Sequence, residues 1–416
     1  PGYRLLAKRL NDIYKQTEAF VQQDEAVLDA LEQKDIGTAQ LARYVHKNGN
    51  FATYQNTEVT FFPLGEDKFA AMLTEPEQFI FMEYFILKEG YMWEKILEIL
   101  ERKVQAGVEV RVMYDGTCAM FDLPFRYPEL LKAKGIQCKM FAPIRPILST
   151  HYNNRDHRKI LVIDGKVGFT GGVNIGDEYI NRVEEHGHWK DTAVMLKGDA
   201  VQGLTMMFLQ MWNVTEKEPE YGKYLQKAEK ASQAKGFVLP YGDSPFDDEP
   251  VGETVYMDIL NRAKKYVHIM TPYLIIDQSM ITALTFAAKR GVDVKLILPH
   301  IPDKKFVFAL AKSHYKELLK AGVRIYEYTP GFVHAKIFTS DDEKAVVGTI
   351  NLDYRSLYLH FECAAFLYQV EEIAEIEKDF QRTLEKCQEV TLENRKKGTF
   401  FLRLEGWLLK WLAPLM

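Results

Sequence analysis

Apolar runs and amphipathic stretches alternate along this chain, and the same order of elements occurs twice. In the first half the pattern predicts a strand at Phe79–Phe85, a helix at Trp93–Gln105 and a strand at Val108–Tyr114. The second half repeats this order in the segments Val267–Leu274, Ser279–Lys289 and Val292–Leu298. Alternating strands and helices predict an α/β fold in which helices cover a sheet. The repeated order predicts two related halves that arose by duplication.

The same patterns divide the chain into five segments. The two halves are residues 51–214 and 238–390, preceded by a polar helical segment at 1–50. A charged stretch at 215–237 lacks a strand pattern and is expected to link the halves. Aromatic residues and leucines recur at helical spacing in 391–416, which predicts an amphipathic helix in a membrane interface. Docking of that helix on the protein's own core is the alternative.

Composition narrows the classes of function. With 416 residues, 47% of them hydrophobic and 27% charged, the chain is long enough for two folded domains. The net charge of −5 argues against a nucleic-acid partner, because phosphate backbones select basic surfaces. The four cysteines are scattered without a CxxC pair, which argues against a disulfide framework or a zinc site. No apolar run reaches the ~18 residues that a membrane-spanning helix needs.

The candidate chemistry lies in a doubled motif, His-x-Lys-x4-Asp followed by Gly-x-x-Asn. The first copy consists of His157, Lys159, Asp164 and Asn174. The second copy consists of His334, Lys336, Asp341 and Asn351. Each member of the second copy lies 177 positions after its counterpart (334 minus 157, for example). Because chance does not produce such a register, each half is predicted to contribute one His, one Lys and one Asn to a shared site.

These residue types suit a phosphodiester substrate. Residues two apart in a strand share a face, so the His and Lys of each copy are expected to point the same way. The lysines and amides would bind the non-bridging oxygens and stabilise their charge. One histidine would attack phosphorus covalently, while the other would protonate the leaving alcohol and then deprotonate its replacement. This chemistry requires neither a metal nor a cofactor.

Carboxylates are expected beside these histidines, because an attacking imidazole must keep its other nitrogen protonated. Asp191 and Glu362 lie at similar offsets downstream of the two motifs and are the candidates. Asp164 and Asp341 belong to the motif itself, but each occupies a predicted hairpin turn after an apolar run. A structural role is therefore an equal alternative for these two aspartates.

The doubled motif resembles that of the phospholipase D superfamily, and its flanks are similar to those of bacterial cardiolipin synthases. The resemblance runs from about residue 55 to the C-terminus and rests on the segments 157–166, 171–179, 189–192, 271–273, 351–356 and 361–362. One departure is His360, where the family pattern leads us to expect Asn. This departure leaves the catalytic set complete but bears on the choice of acceptor.

The resemblance implies two phospholipase D-like α/β/α domains related by a pseudo-twofold axis, with the active site between them. It implies that the nucleophile and the acid/base are His157 and His334. Superfamily analogy favours attack by His157. The implied phosphate ligands are Lys159, Lys336, Asn174 and Asn351. The imidazoles would be oriented by Asp191 and Glu362, whereas the motif members with a structural role would be Asp164 and Asp341.

The implied reaction transfers a phosphatidyl group from one phosphatidylglycerol to another through a phosphohistidine, and it releases glycerol. The implied partners are phosphatidylglycerol and an anionic membrane surface, at the cytoplasmic face of a bacterial membrane. No nucleic acid is expected, and a homo-oligomer is left open. Family members carry two hydrophobic helices ahead of this domain, so a chain that starts at Pro1 is expected to have lost them. The basic residues Arg4, Lys8 and Arg9 would then lie next to the membrane.

Other activities would use the same catalytic residues. A phospholipase D, or another phosphatidyltransferase that uses water or a different alcohol as acceptor, is the alternative. A nuclease is disfavoured by the negative net charge and by the aromatic C-terminal segment. A non-catalytic membrane-binding protein is disfavoured because both motifs are intact.

Overall fold

The computed structural model describes residues 2–72, 77–143, 153–225, 227–228 and 234–393. Within these ranges the chain forms two large β-sheets, of seven and eight strands, with helices packed on their faces. The α/β fold class predicted from the sequence is therefore confirmed.

The described helices and strands follow one another in the order predicted for two repeats. Up to residue 212 they are α1 (Gly2–Thr17), α2 (Glu25–Lys34), α3 (Ile36–Gly49), β1 (Thr57–Phe62), α4 (Gly65–Met72), β2 (Phe79–Tyr84), α5 (Tyr91–Gln105), β3 (Glu109–Asp115), α6 (Cys118–Phe121), α7 (Tyr127–Ala133), β4 (Gln137–Phe141), β5 (Lys159–Ile163), β6 (Val167–Gly171), β7 (His188–Lys190), β8 (Ala193–Gly198) and α8 (Val201–Trp212). After it come β9 (Phe237–Asp243), α9 (Val251–Arg262), β10 (Tyr266–Met270), β11 (Leu274–Ile275), α10 (Gln278–Lys289), β12 (Asp293–Pro299), α11 (Lys305–Lys320), β13 (Arg324–Tyr328), β14 (Gly331–Val333), β15 (Ile337–Ser340), β16 (Lys344–Gly348), β17 (Leu352–Asp353), α12 (Tyr354–Tyr358), β18 (Glu362–Tyr368), α13 (Ile373–Leu384) and β19 (Cys387–Val390).

The two sheets share the same central arrangement. In the first sheet, with the order β1-β8-β6-β5-β2-β3-β4, strands β2, β3 and β4 are parallel and β5 runs antiparallel to β2. In the second sheet, with the order β19-β13-β12-β10-β15-β16-β18-β9, strands β10, β12 and β13 are parallel and β15 runs antiparallel to β10. Tyr84 at the end of β2 pairs with Lys159, and Met270 at the end of β10 pairs with Ile337. Both motifs therefore start at the carboxyl edge of the parallel strands.

One cluster of buried side chains fills the space between the two sheets. It contains residues of both, such as Phe81 of β2 and Val347 of β16. Helix α8 lies in this cluster with eleven of its twelve residues buried, and its Gly203 packs closely on Pro240 of β9. Two further clusters lie on the outer faces of the sheets, and α2 and α3 contribute to the one that covers the second sheet.

Most of the predicted elements are confirmed to within two residues. The predicted strand Val267–Leu274 was wrong in its second part, because β10 ends at Met270. Pro272 has no N–H to donate to a neighbouring strand, and the chain resumes as the short strand β11 beside β17. The predicted helical character of residues 1–50 is confirmed by α1, α2 and α3.

Two of the five predicted segments are described only in part. Within 215–237, the structure describes a short 3₁₀ helix at Gly222–Tyr224, and β9 already begins at Phe237. The predicted amphipathic helix at 391–416 falls almost entirely outside the described residues, which end at 393.

We propose that the domain limits follow the two sheets. In the part of the chain that is described, no helix combines the length and the apolarity that crossing a membrane requires.

Candidate active site

The two motif histidines are held by backbone hydrogen bonds that run between the halves. The amide of His157 donates to the carbonyl oxygen of Phe361 at 2.9 Å. The amide of His334 donates to the carbonyl oxygen of Lys190 at 2.8 Å, next to the parallel pair formed by β14 and β7. Both histidines lie shortly before strands, His157 before β5 and His334 before β15. The shared site is thus built where the carboxyl edges of the two sheets meet.

The two candidate carboxylates also act across the boundary between the halves. Nδ1 of His157 lies 2.9 Å from Oε1 and 3.0 Å from Oε2 of Glu362. Nδ1 of His334 lies 2.6 Å from Oδ2 of Asp191. The offsets along the chain had paired each acid with the histidine of its own half, whereas the contacts pair it with the histidine of the other half.

Burial keeps both imidazoles neutral. It lowers the pKa of His157 to about 3 and that of His334 to about 4, in spite of the adjacent carboxylates. Burial alone would raise the pKa of Asp191, but His334 and Lys336 outweigh it, so the pKa is lowered. His157 likewise outweighs burial and lowers the pKa of Glu362. Because a charged carboxylate can only accept a hydrogen bond, each Nδ1 must donate, which leaves the lone pair on Nε2.

The two motif lysines are buried and bonded to the backbone of the motif histidines. Nζ of Lys159 donates to the carbonyl oxygen of His157 at 2.6 Å, and Nζ of Lys336 donates to the carbonyl oxygen of His334. Each ammonium group has three N–H donors, so two remain for a phosphate oxygen. Burial lowers the pKa of Lys159 to about 8 and that of Lys336 to about 7. An anionic phosphate between them would favour their charged form.

The two motif asparagines are buried but differ in their contacts. Oδ1 of Asn174 accepts from the amide of Ile86 at 3.0 Å, and its Nδ2 donates to the hydroxyl of Tyr179 at 3.1 Å. Oδ1 of Asn351 has no hydrogen-bond partner among the described residues. The first amide is thus fixed by the protein, whereas the second retains an open acceptor.

The two motif aspartates occupy hairpin turns at the opposite ends of β5 and β15. Both have positive φ, 55° for Asp164 and 57° for Asp341, at the first position of the three-residue loops 164–166 and 341–343. The carboxylate of Asp164 accepts from the amides of residues 77, 78 and 79 at 2.7–2.8 Å. That of Asp341 accepts from the amides of residues 264, 265 and 266 at 2.7–3.0 Å. Each therefore fixes the start of the central strand of its sheet, away from the histidines.

Sequence reasoning missed several residues that shape the site. The hydroxyl of Thr349 donates to Oε2 of Glu362. At the corresponding position of the first motif, a Cβ on Gly172 would lie 2.1 Å from Oδ1 of Asp191, so a side chain is excluded there. The difference between Gly-Gly and Gly-Thr in the two copies was the visible signal. Lys68, which no motif marks, is a further buried amine whose pKa burial lowers to about 7.

Aromatic rings line both histidines at equivalent positions. Trp189, two residues before Asp191, lies 5.2 Å from His334 between ring centroids. His360, two residues before Glu362, lies 5.4 Å from His157. Together with the imidazoles and the two motif lysines, these rings enclose a buried site with two nucleophilic nitrogens.

Comparison with known proteins identifies relatives of this chain. Residues 70–212 and 256–384 match the family described as cardiolipin synthase, PLD-like domain. The cardiolipin synthase of Geobacillus kaustophilus is 35% identical over 90% of this chain and 76% of its own length. A protein of Streptococcus mutans described as uncharacterized is 54% identical over 100% of this chain and 91% of its own length.

A solved structure shares the fold. The crystal structure of phosphatidylserine synthase from Haemophilus influenzae matches 91% of this chain and 100% of that chain with a TM-score of 0.68. Its sequence identity is 14%, so the likeness concerns the fold alone. It agrees with two phospholipase D-like domains in one chain.

Proposed function

This chain belongs to the cardiolipin synthase family with phospholipase D-like domains, and we propose that its two histidines carry the transfer through a phosphohistidine. The chain is a phosphatidyltransferase, and its reaction joins two phosphatidylglycerol molecules into cardiolipin and glycerol. One observation carries the proposed mechanism: two neutral imidazoles are each hydrogen-bonded to a charged carboxylate of the other half, and a buried lysine is bonded to the backbone of each histidine.

In the first step, Nε2 of His157 attacks phosphorus of one phosphatidylglycerol. The bond from phosphorus to the glycerol oxygen breaks, and His334 gives that oxygen a proton. The negative phosphodiester favours a protonated His334 once it is bound, because an opposite charge nearby raises an imidazole pKa. Lys159 and Lys336 stabilise the charge that builds on the non-bridging oxygens. The order of the two histidines follows the superfamily analogy.

In the second step, a hydroxyl of a second phosphatidylglycerol takes the place of the released glycerol. His334, now neutral, accepts the hydroxyl proton, and the oxygen attacks phosphorus. The bond from phosphorus to Nε2 of His157 breaks and restores the enzyme. Asp191 and Glu362 keep both Nδ1 protons in place, so each Nε2 is presented in the required tautomer.

We also propose that this carboxyl edge faces an anionic membrane at the cytoplasmic side. Large apolar side chains are exposed on the segments that follow β3 and β12, at the same edge as the histidines: Met120 (54%), Phe125 (90%), Ile301 (38%) and Phe306 (43%). Exposed basic residues flank them, namely Arg126, Lys304 and Lys305. Apolar insertion combined with positive charge is the pattern by which proteins bind anionic bilayers.

The decisive test follows both products. The purified chain is incubated with phosphatidylglycerol vesicles, and cardiolipin and glycerol are measured together. Equal amounts of both support the proposal, and His157→Ala and His334→Ala should each abolish them. Phosphatidic acid and glycerol without cardiolipin would instead mean that water is the acceptor, which is the phospholipase D alternative. If neither substitution changes the activity, the two-histidine mechanism is wrong.

A further inference from the structure

His360 is a buried imidazole that makes no close hydrogen bond within the described part of the chain. It is 9% exposed, and neither of its ring nitrogens has a partner among the described residues. A buried polar group without a partner is costly, so such a group points to a ligand that is bound some of the time. His360 faces His157, with 5.4 Å between ring centroids, and its Nδ1 lies 3.6 Å from Oε1 of Glu362.

These three residues form a set of metal ligands. One ligand atom each from His157, His360 and Glu362 lies within 4.8 Å of the others, and all three residues are buried. Zinc binds imidazole nitrogen and carboxylate oxygen at about 2.0–2.2 Å, which puts neighbouring ligand atoms of a tetrahedral site about 3.3 Å apart. The measured separations, 2.9 Å from His157 Nδ1 to Glu362 Oε1 and 3.6 Å from His360 Nδ1 to the same oxygen, bracket this value.

The corresponding position in the other half cannot supply a ligand. There Trp189 packs on His334, and an indole N–H donates but has no lone pair for a metal. His334 and Asp191 therefore remain a pair, whereas His157 and Glu362 gain a third member. Within the described ranges, the duplicated site therefore offers one candidate metal position.

We propose that His157, His360 and Glu362 bind one divalent transition-metal ion of the zinc class, and that this ion switches the transfer off. Two imidazoles and one carboxylate suit zinc better than the hard ions magnesium and calcium, which prefer oxygen ligands alone. The ammonium group of Lys159 beside the site opposes a cation, so the ion binds reversibly and more weakly than in structural zinc sites.

Inhibition follows from the tautomer of His157. In the active form its Nδ1 carries the proton and its Nε2 carries the lone pair that attacks phosphorus. A metal on Nδ1 uses the lone pair of that nitrogen, so the proton moves to Nε2 and the nucleophile is lost. The ion also occupies the carboxylate that orients this imidazole. This inhibition rests on the proposed function, whereas binding of the ion does not.

The test measures binding and activity separately on the full chain. After treatment with EDTA and its removal, Zn²⁺ is titrated by calorimetry, and thermal unfolding is followed with and without Zn²⁺. We expect one ion per chain and a higher Tm with Zn²⁺, because an ion that binds only the native state stabilises it. The variants His360→Asn and His360→Gln should bind at least about 10-fold more weakly and lose the Tm shift. His300→Asn, at a half-exposed imidazole paired with Glu327, is the matched control and should behave as the parent.

Cardiolipin formation is then measured at increasing Zn²⁺ concentrations. The rate of each protein is expressed as a fraction of its own rate without metal. We expect Zn²⁺ to inhibit the parent and His300→Asn, EDTA to reverse the inhibition, and both His360 variants to need at least about 10-fold more Zn²⁺. Equal affinity of parent and His360 variants would overturn the site. Binding at this site without inhibition would overturn the switch. A chain that binds one ion through His360 but forms no cardiolipin would contradict the proposed function and leave the metal site standing.

Discussion

The carboxylate of Asp191 accepts a hydrogen bond from Nδ1 of His334 at 2.6 Å, although the two residues lie in different halves of the chain. Glu362 and His157 form the reverse pair at 2.9 Å. The duplication has therefore not produced two sites. It has produced one site in which each half supplies the histidine of one pair and the acid of the other.

Neutralising either acid should slow the reaction without preventing the lipid from binding. For Asp191→Asn and Glu362→Gln we expect kcat to fall about 10²–10⁴-fold, because an amide no longer fixes the tautomer of its histidine or stabilises the imidazolium. Steady-state kinetics on phosphatidylglycerol vesicles measure the effect. Asp258→Asn, at the carboxylate that pairs with Arg262 on α9, is the control and should leave kcat unchanged. A full rate in both acid variants would contradict the orienting role.

The pKa values of the two motif lysines, Lys159 and Lys336, predict how the rate depends on pH. In the free protein, burial lowers the pKa of Lys336 to about 7 and that of Lys159 to about 8. Above these values the lysines lose the charge that binds phosphate, so kcat/KM should fall as the pH rises through 7 to 8. The bound phosphodiester stabilises the charged form, so kcat, which reports the complex, should fall only at higher pH. If both parameters fall at the same pH, or neither does, the lysines are not the phosphate ligands.

The turn aspartates should affect stability but not chemistry. In Asp164→Asn and Asp341→Asn, the amide side chain accepts fewer of the three backbone N–H groups, so the free energy of unfolding should drop by about 1–3 kcal/mol. Denaturant unfolding measures this loss, and kcat of the folded variant should stay within a factor of about two of the parent. A large loss of kcat at unchanged stability would place these aspartates in the reaction.

Exposed apolar residues at the carboxyl edge should govern membrane binding. Phe125→Ser removes a side chain that is 90% exposed and should reduce sedimentation with phosphatidylglycerol vesicles about 3- to 10-fold, since its insertion into the bilayer is lost. Phe286→Ser is the matched control, because Phe286 is 54% exposed near the far end of α10. Equal losses in both variants would argue against an oriented membrane face.

Most of the fold and most residues of the candidate site could be predicted from the sequence. The doubled motif predicted the two related halves, and periodicity predicted the strands β2, β3 and β12 to within two residues. The crossing of Asp191 and Glu362 between halves could not be predicted, because offsets along the chain say nothing about which half packs against which. Lys68 and Thr349 were missed for the same reason, since each acts through a contact that only folding creates. The motif aspartates, in contrast, could be predicted as turn residues, because each follows an apolar run and Asp164 is followed directly by Gly165.

Helix α8 limits how the protein can move. Eleven of its twelve residues are buried, and eight of these belong to the cluster that fills the space between the sheets. Swinging the two halves apart like a hinge would expose this helix to water at a large hydrophobic cost. We therefore expect the two halves to stay joined through this helix during the catalytic cycle, so that lipids enter and leave without a hinge motion of the halves.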